Sequence, residues 1–384
     1  VSEIPAAAGE LTAEQEEFRR VVAAFADEVI EPEAATFNAE GRFPVEIVRR
    51  MGELGLFGLP FDEEDGGVGG DYLTFCLAIE EIGRVDQSLG ITLEAAVGLG
   101  AAPIAEFGTD EQRQRYLPRL CRGEALAGFG LTEAGGGSDV LGATRTRAVR
   151  DGDEWVIDGA KQFITNAGTE LTELVIVTAL TGPRELTAII VPTGTPGFAV
   201  APPYRKVGWH ASDTRELHLD AVRVPVANTL GEVGAGLPQF LKTLADGRIA
   251  ISALAVGLIQ GCVEECVRYA GEREAFGRPI GANQAVAFKI ADLEVAAQTA
   301  RQMYRYACRR REAGLPYRRE ASIAKLYSSE AAVTAARQAV QIFGGMGFTT
   351  DTRVGRFYQD AKILEIGEGT SEVQRLLISR DLGL

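Results

Sequence analysis

Residues 247–270 read GRIAISALAVGLIQGCVEECVRYA, and the period of this stretch decides the architecture. Ile251, Leu254, Leu258 and Cys262 recur every three or four positions, so they share one face of a helix. Ala253, Gly257 and Gly261 recur every four, a stripe of small residues along which a second helix can lie close. Two further runs of similar length follow, 284–314 (QAVAFKIADLEVAAQTARQMYRYACRRREAG) and 317–345 (YRREASIAKLYSSEAAVTAARQAVQIFGG). Three or four long helices joined by short links predict an antiparallel bundle over 236–384.

Upstream of that bundle the period changes. Between 126 and 235 the chain has short β-branched runs broken by Gly, Pro and Asn: WVIDGAKQFITNA, ELVIVTAL, LTAIIVPT, GFAVAPP and ELHLDAVRVP. Pro192, Pro196, Pro202 and Pro203 suit strand ends and turns. A small β-barrel or sandwich is expected there. From 1 to 125 the texture is helical again. In LTAEQEEFRRVVAAFADEVI, Phe18, Val21, Val22, Phe25 and Val29 make one face, and Leu11-Thr12 precedes the acidic first turn of a helix start. The expected order is therefore an N-terminal α-helical domain, a middle β domain and a C-terminal four-helix bundle.

Composition removes several function classes. A net charge of -15 disfavours nucleic acid and anionic membrane, whose binding needs clustered Lys and Arg. Five cysteines form no CxxC pair, and Cys262 and Cys266 stand one helical turn apart, as core thiols do. A reducing, cytoplasmic setting fits that usage. The start, VSEIPAAAGELTAEQEEF, lacks a basic n-region and a long apolar run, so no signal peptide is expected. No stretch approaches ~18 uninterrupted apolar residues, so no membrane span is expected. With only His210 and His218, and with no HExxH, GxSxG, GxxxxGK[ST] or strand-linked GxGxxG, no metal site is expected and a carboxylate or a bound cofactor must carry any reaction.

Four stretches carry candidate chemistry. FGLTEAGGGSDV (129–140) exposes backbone N–H groups at Gly135–Gly137 beside the Thr132 and Ser138 hydroxyls, and so can cradle an anionic or heteroaromatic ligand. KQFITNAG (161–168) puts Phe163 and Thr165 two apart on a strand, on one face. GEREAFGRPIGANQAVAF (271–288) brings Arg273, Phe276 and Gln284 around a turn between two helices, with Arg273 able to clamp a phosphate. QIFGGMGF (341–348) ends one helix, and EIGEGTSEVQRLL (365–377) sets a lone Glu368 between two glycines just before another. Ser371 and Gln374 have the spacing of a capping box, so that helix is expected to begin beside Glu368.

Together these stretches resemble the acyl-CoA dehydrogenase family of flavoproteins over nearly the whole chain. LTEAGGGSD is similar to the family's LTEPxAGSD signature, FITN to its WITN strand, EREAFG to its ERxxFG motif, and QIFGGMGF followed by GEGTSEVQR to its carboxy-terminal signature. The resemblance implies a homotetramer, a dimer of dimers, with FAD held between the β domain and the bundle. Phe129, Leu131, Thr132, Gly137 and Ser138 would line the flavin, and Phe163, Ile164 and Thr165 would cover its other side. Arg273, Phe276, Gln284, Gln341, Ile342, Gly344 and Gly345 would hold the ADP half of FAD bound mainly by a neighbouring subunit, and Thr370 and Ser371 would complete the pocket. Ser138, Ala245, Arg248, Glu368 and Gly369 would border the substrate.

By the same resemblance Glu368 is the base that removes the α-proton of an acyl-CoA while a hydride leaves the β-carbon for flavin N5. The backbone N–H of Glu368 and a ribityl hydroxyl would stabilise the enolate. Burial should raise the Glu368 pKa and make it a better base. Some relatives carry the base immediately before an arginine on another helix. In LADGRIAI that place is Gly247 before Arg248, which cannot abstract a proton. Ala134, Phe163, Gly367 and Ala245 depart from the residues usual in the family (Pro, Trp, Tyr and Asp). The expected reaction is dehydrogenation of a short or branched acyl-CoA, with an electron-transferring flavoprotein as acceptor. A dehydrogenase of acyl-carrier-protein thioesters, an oxidase using oxygen, and a non-catalytic scaffold are the alternatives.

Overall fold

The computed structural model describes residues 10–384. The expectation about a leader rests on residues 1–18, of which 1–9 lie outside the described residues. Seven helices come first: α1 (Ala13–Phe25), α2 (Glu31–Glu40), α3 (Val45–Glu53), α4 (Tyr72–Val85), α5 (Gln87–Glu94), α6 (Ala102–Phe107) and α7 (Asp110–Cys121). Thr12 caps α1 through a capping box with Gln15, as the acidic first turn suggested. Between α5 and α6 the chain widens into a π-helical stretch, Ala95–Ala101.

The middle of the chain is a sheet. Its strands are β1 (Leu126–Gly130), β2 (Arg147–Asp151), β3 (Glu154–Thr165), β4 (Thr172–Gly182), β5 (Glu185–Pro192), β6 (Phe198–Val200), β7 (Thr214–Pro225) and β8 (Thr229–Leu230). They run in the order β6-β7-β3-β2-β4-β5-β8, with β1 added parallel to β4. A one-turn helix, α8 (Val140–Ala143), interrupts them. The inward side chains, among them Trp155, Ile157, Val175, Val177, Ile189, Leu217 and Val222, form a core of their own.

The long helices follow: α9 (Gly236–Glu272), α10 (Gln284–Glu312), α11 (Arg318–Phe343), α12 (Arg353–Leu364) and α13 (Ser371–Asp381). A two-stranded hairpin, β9 (Glu274–Ala275) and β10 (Arg278–Pro279), turns the chain from α9 to α10. The small-residue stripe of α9 faces α4. A Cβ on Gly257 would stand 2.4 Å from the Glu80 carbonyl oxygen, and one on Gly261 would stand 2.5 Å from that of Arg84. The apolar residues of α4, α5, α9, α10 and α11 share one continuous core that takes in both helical ends of the chain.

Gln87–Phe107 and Gly236–Glu272 are long and apolar enough to cross a membrane by composition, but 83% of each apolar window is buried inside the protein. They are interior helices. All five cysteines are buried and free.

Candidate active site

Glu368 stands in a tight loop, Glu365–Thr370, between α12 and α13. It adopts φ 55° itself, left-handed for a residue that pays a steric penalty there, and Gly369 follows at φ 92°. The loop is tied down on its carbonyl side. Lys325 Nζ on α11 donates to the Gly369 oxygen at 2.7 Å, and the Gln374 amide donates to the carbonyls of Gly369 at 2.9 Å and Glu368 at 3.2 Å.

The capping box expected of Ser371 and Gln374 is not formed. Thr370 is the cap, accepting from the Val373 N–H at 3.3 Å, and the Ser371 N–H that a box would need already donates to the Glu365 carbonyl at 3.0 Å. Ser371 Oγ is left buried without a partner at the head of α13.

This backbone aims the Glu368 carboxylate at α9. Its Oε2 is shielded and makes no hydrogen bond among the described residues, and a Cβ on Gly247 would stand only 2.7 Å from it. Glycine at 247 is therefore what gives the carboxylate room. Burial pushes the Glu368 pKa up to about 7, with Arg248 and Lys325 pulling the other way. Arg248 is buried with its Nε unpaired, and burial holds its guanidinium down against the pull of Glu368. Lys325 is brought down by burial to about 8. Ala245 is wholly buried. The carboxylate next to it, Asp246, is taken by Arg311 at 3.0 and 3.2 Å and by Tyr317 at 2.5 Å.

The second half of the site lies on β1 and β3. The Gln162 N–H donates to the Thr132 carbonyl at 2.9 Å, joining the glycine loop to the strand. Phe129 packs edge-on against Phe240 of α9 at 5.1 Å between centroids, and Leu131 and Thr132 are half-buried. Gly137 and Ser138 are exposed.

Beneath the loop, Lys161 is fully buried and donates to Glu133 at 2.7 Å, while Glu133 also accepts from the Arg145 and Thr146 N–H groups at 2.6 and 3.1 Å. Lys161→Met would leave that carboxylate buried and without its cation. It is expected to cost about 3–5 kcal/mol, read as a fall in Tm together with loss of flavin on purification.

Phe163 departs from simple strand alternation. It has φ 61° at a register shift between Lys161 and Ile164, so Lys161 and Ile164 both point inward while Phe163 is 60% exposed over Tyr204. Thr165, half-buried, follows it. Asn166 next along donates to the Thr92 carbonyl of α5 at 3.0 Å, locking this strand end to the helix that flanks Glu368.

Arg273, Phe276, Gln284, Gln341, Gly344 and Gly345 are exposed, and nothing stands within 4 Å of a Cβ on either glycine. With Ile342 they gather at the far end of α9, where Tyr269 stacks on Phe343 at 4.1 Å. That end is roughly 37 Å along the helix from Arg248.

The Glu368 site, with its β1 and β3 walls, and the cluster at the far end of α9 thus lie apart on one chain. The unpartnered Ser371 hydroxyl, the open glycine loop and the bare Gly344-Gly345 turn all fit a large polar cofactor with an aromatic ring system. Sequence reasoning missed Lys161, Asn166, Lys325 and Glu94. The last had a signal, since it is the only charged residue between Asp86 and Glu106.

The chain matches three family models in succession: acyl-CoA dehydrogenase N-terminal domain over 12–124, middle domain over 128–222 and C-terminal domain over 234–383. It is 48% identical over 378 residues to a probable acyl-CoA dehydrogenase of Bacillus subtilis (strain 168), covering 97% of this chain and 99% of that one. Among solved structures it is similar to butyryl-CoA dehydrogenase from Megasphaera elsdenii, with TM-score 0.95, 36% identity and 98% and 99% of the two chains covered. It is also similar to a chain solved in work on the electron transferring flavoprotein of Acidaminococcus fermentans, with TM-score 0.94, 38% identity and coverage of 97% and 98%.

Proposed function

This chain belongs to the acyl-CoA dehydrogenase family, FAD flavoproteins that oxidise CH–CH bonds, and we propose that it converts a short acyl-CoA thioester to its trans-2-enoyl product with Glu368 as the base. The observation that carries the reading is the shielded, unpaired Glu368 Oε2 lying against Gly247, the one place on α9 where a rival base would sit. Bound FAD would supply the acceptor for the hydride that leaves the β-carbon.

The chain's own residues do the rest. Phe129, Leu131, Thr132, Gly137 and Ser138 would hold one side of the cofactor and Phe163 and Thr165 the other, with Ile164, whose side chain packs into the sheet core, offering only its backbone. Thr370 and Ser371 close it at the head of α13. Glu368 takes the α-proton, and its own backbone N–H would stabilise the enolate oxygen. Ser138, Ala245 and Arg248 border the substrate. Arg248 and Lys325 bias Glu368 toward its charged form, and burial opposes them.

The short-chain reading is supported by the likeness to butyryl-CoA dehydrogenase, and an electron-transferring flavoprotein as acceptor by the second structural neighbour. Arg273, Phe276, Gln284, Gln341, Ile342, Gly344 and Gly345, remote from Glu368, would serve the FAD of a neighbouring subunit in a homotetramer. The domains in this reading are 1–125, 126–235 and 236–384.

The test is anaerobic titration of the purified flavoprotein with acetyl- through octanoyl-CoA, following the flavin absorbance. Bleaching by butyryl- or pentanoyl-CoA is expected, and no bleaching by any member would defeat the proposal. The pH dependence has a definite sign. The base must be unprotonated, so the rate should rise tenfold per unit below about 7 and level off above it. Stability runs oppositely. A carboxyl whose folded pKa is raised stabilises the fold at low pH, and that contribution is lost as pH climbs from its unfolded value of 4.5 through about 7.

A further inference from the structure

Glu94 is the last residue of α5, in a run from Gln87 to Ala105 with no other charge. Its side chain is wholly buried, and among the described residues neither carboxyl oxygen has a hydrogen-bond partner. It points into the active site. The Gly247 Cβ position that lies 2.7 Å from Glu368 Oε2 lies 3.5 Å from Glu94 Oε1. Small residues adjoin this oxygen: a Cβ on Gly98 would come within 3.1 Å of it, and Gly247 stands on the other side. The chain widens into its π-helical stretch immediately after it, a distortion found at functional sites.

A buried polar group without a partner costs about 1–3 kcal/mol, and native proteins keep such groups where something else supplies the bond. No side chain here does. Arg248 and Lys325, the two cations near, act on Glu368. Burial, and after it the Glu368 charge, shift Glu94 toward its neutral form, and a neutral carboxyl both donates and accepts. An ammonium would have to be desolvated beside it, whereas a hydroxyl matches it on both counts.

We propose that Glu94 is a specificity residue at the distal end of the acyl site, and that the preferred substrate is a short acyl thioester bearing a hydroxyl on its terminal carbon. This rests on the reading of Glu368 as the base, since it puts the acyl chain between the two carboxyls.

The test compares isosteric pairs, 4-hydroxybutanoyl-CoA with pentanoyl-CoA and 5-hydroxypentanoyl-CoA with hexanoyl-CoA, by the rate of anaerobic flavin bleaching over Kd. In the wild-type flavoprotein the hydroxylated member of at least one pair should be favoured by about tenfold or more, since a site built to bond a hydroxyl rejects the analogue lacking it. Glu94→Leu should reverse that order, and Glu94→Gln, which keeps a donor and an acceptor, should retain most of it. Equal or better bleaching by the apolar members in the wild type overturns the proposal, as does an order that Glu94→Leu leaves unchanged. If Glu94→Leu does not hold FAD, a Glu94→Gln order identical to wild type with no hydroxyl preference in either overturns it equally. Failure of every thioester to bleach the flavin is a different result. It removes the dehydrogenase reading itself, and this proposal with it.

Discussion

Glu368→Gln should reduce anaerobic flavin bleaching by about 10³–10⁴-fold while leaving FAD content and the acyl-CoA Kd within a few-fold of wild type. Glutamine keeps the size and hydrogen-bonding capacity of the side chain and removes only its ability to take a proton. The backbone that positions it should not respond, because the loop is held through carbonyls, by Lys325 and Gln374, and not through the carboxylate. No rival waits on α9, where position 247 is glycine. Loss of the pH dependence near 7 should accompany the loss of rate, since the group that titrates there is the one replaced. Rapid bleaching by the variant would move the base to another residue.

A large structural effect is expected further along α9. Gly257→Val should lower Tm sharply, by the equivalent of about 3 kcal/mol or more, because the atoms in the way are main chain. A Cβ there meets the Glu80 carbonyl at 2.4 Å and the Arg84 N at 2.8 Å, and neither can rotate aside as a side chain could. α4 would have to retreat from α9, loosening the core that also seats Gly247 and Arg248. Gly271, near the end of α9 with nothing within 4 Å of its Cβ position, supplies the control. Gly271→Ala should be neutral or stabilising by up to about 1 kcal/mol. Equal losses from the two substitutions would mean that helix propensity, and not close approach, is what the stripe provides.

That stripe shows what a sequence does and does not reveal. Its spacing in Ala253, Gly257 and Gly261 announces a close neighbour without naming it. The neighbour proves to be α4, more than a hundred residues earlier, since only the three-dimensional path of the chain brings Glu80–Arg84 alongside. Glu368 was legible for a different reason: its glycines and the following helix start form a local pattern.

Phe163 and Gln374 mark where local pattern falls short. Strand alternation assumes an even ladder, and the bulge that turns Phe163 outward depends on how β3 registers against β7. A capping box assumes that the helix's own N–H groups are the best partners available. At the head of α13 the Ser371 N–H already donates to the Glu365 carbonyl and the Gln374 N–H to that of Thr370, so neither is free to form the box. Glu94 was the hardest to read, because a charge in an apolar helix gains meaning only once the carboxylate it faces is known.

Proton abstraction can be separated from flavin reduction. A 3-thia-acyl-CoA carries sulfur in place of the β-carbon and has no hydride to give there, so exchange of its α-protons in D₂O, followed by NMR, reports the base alone. The wild-type flavoprotein is predicted to exchange these protons at a rate that rises with pH through about 7, and Glu368→Gln to show none above the uncatalysed background. Undiminished exchange in that variant would contradict the assignment of Glu368 as the residue that meets the α-carbon.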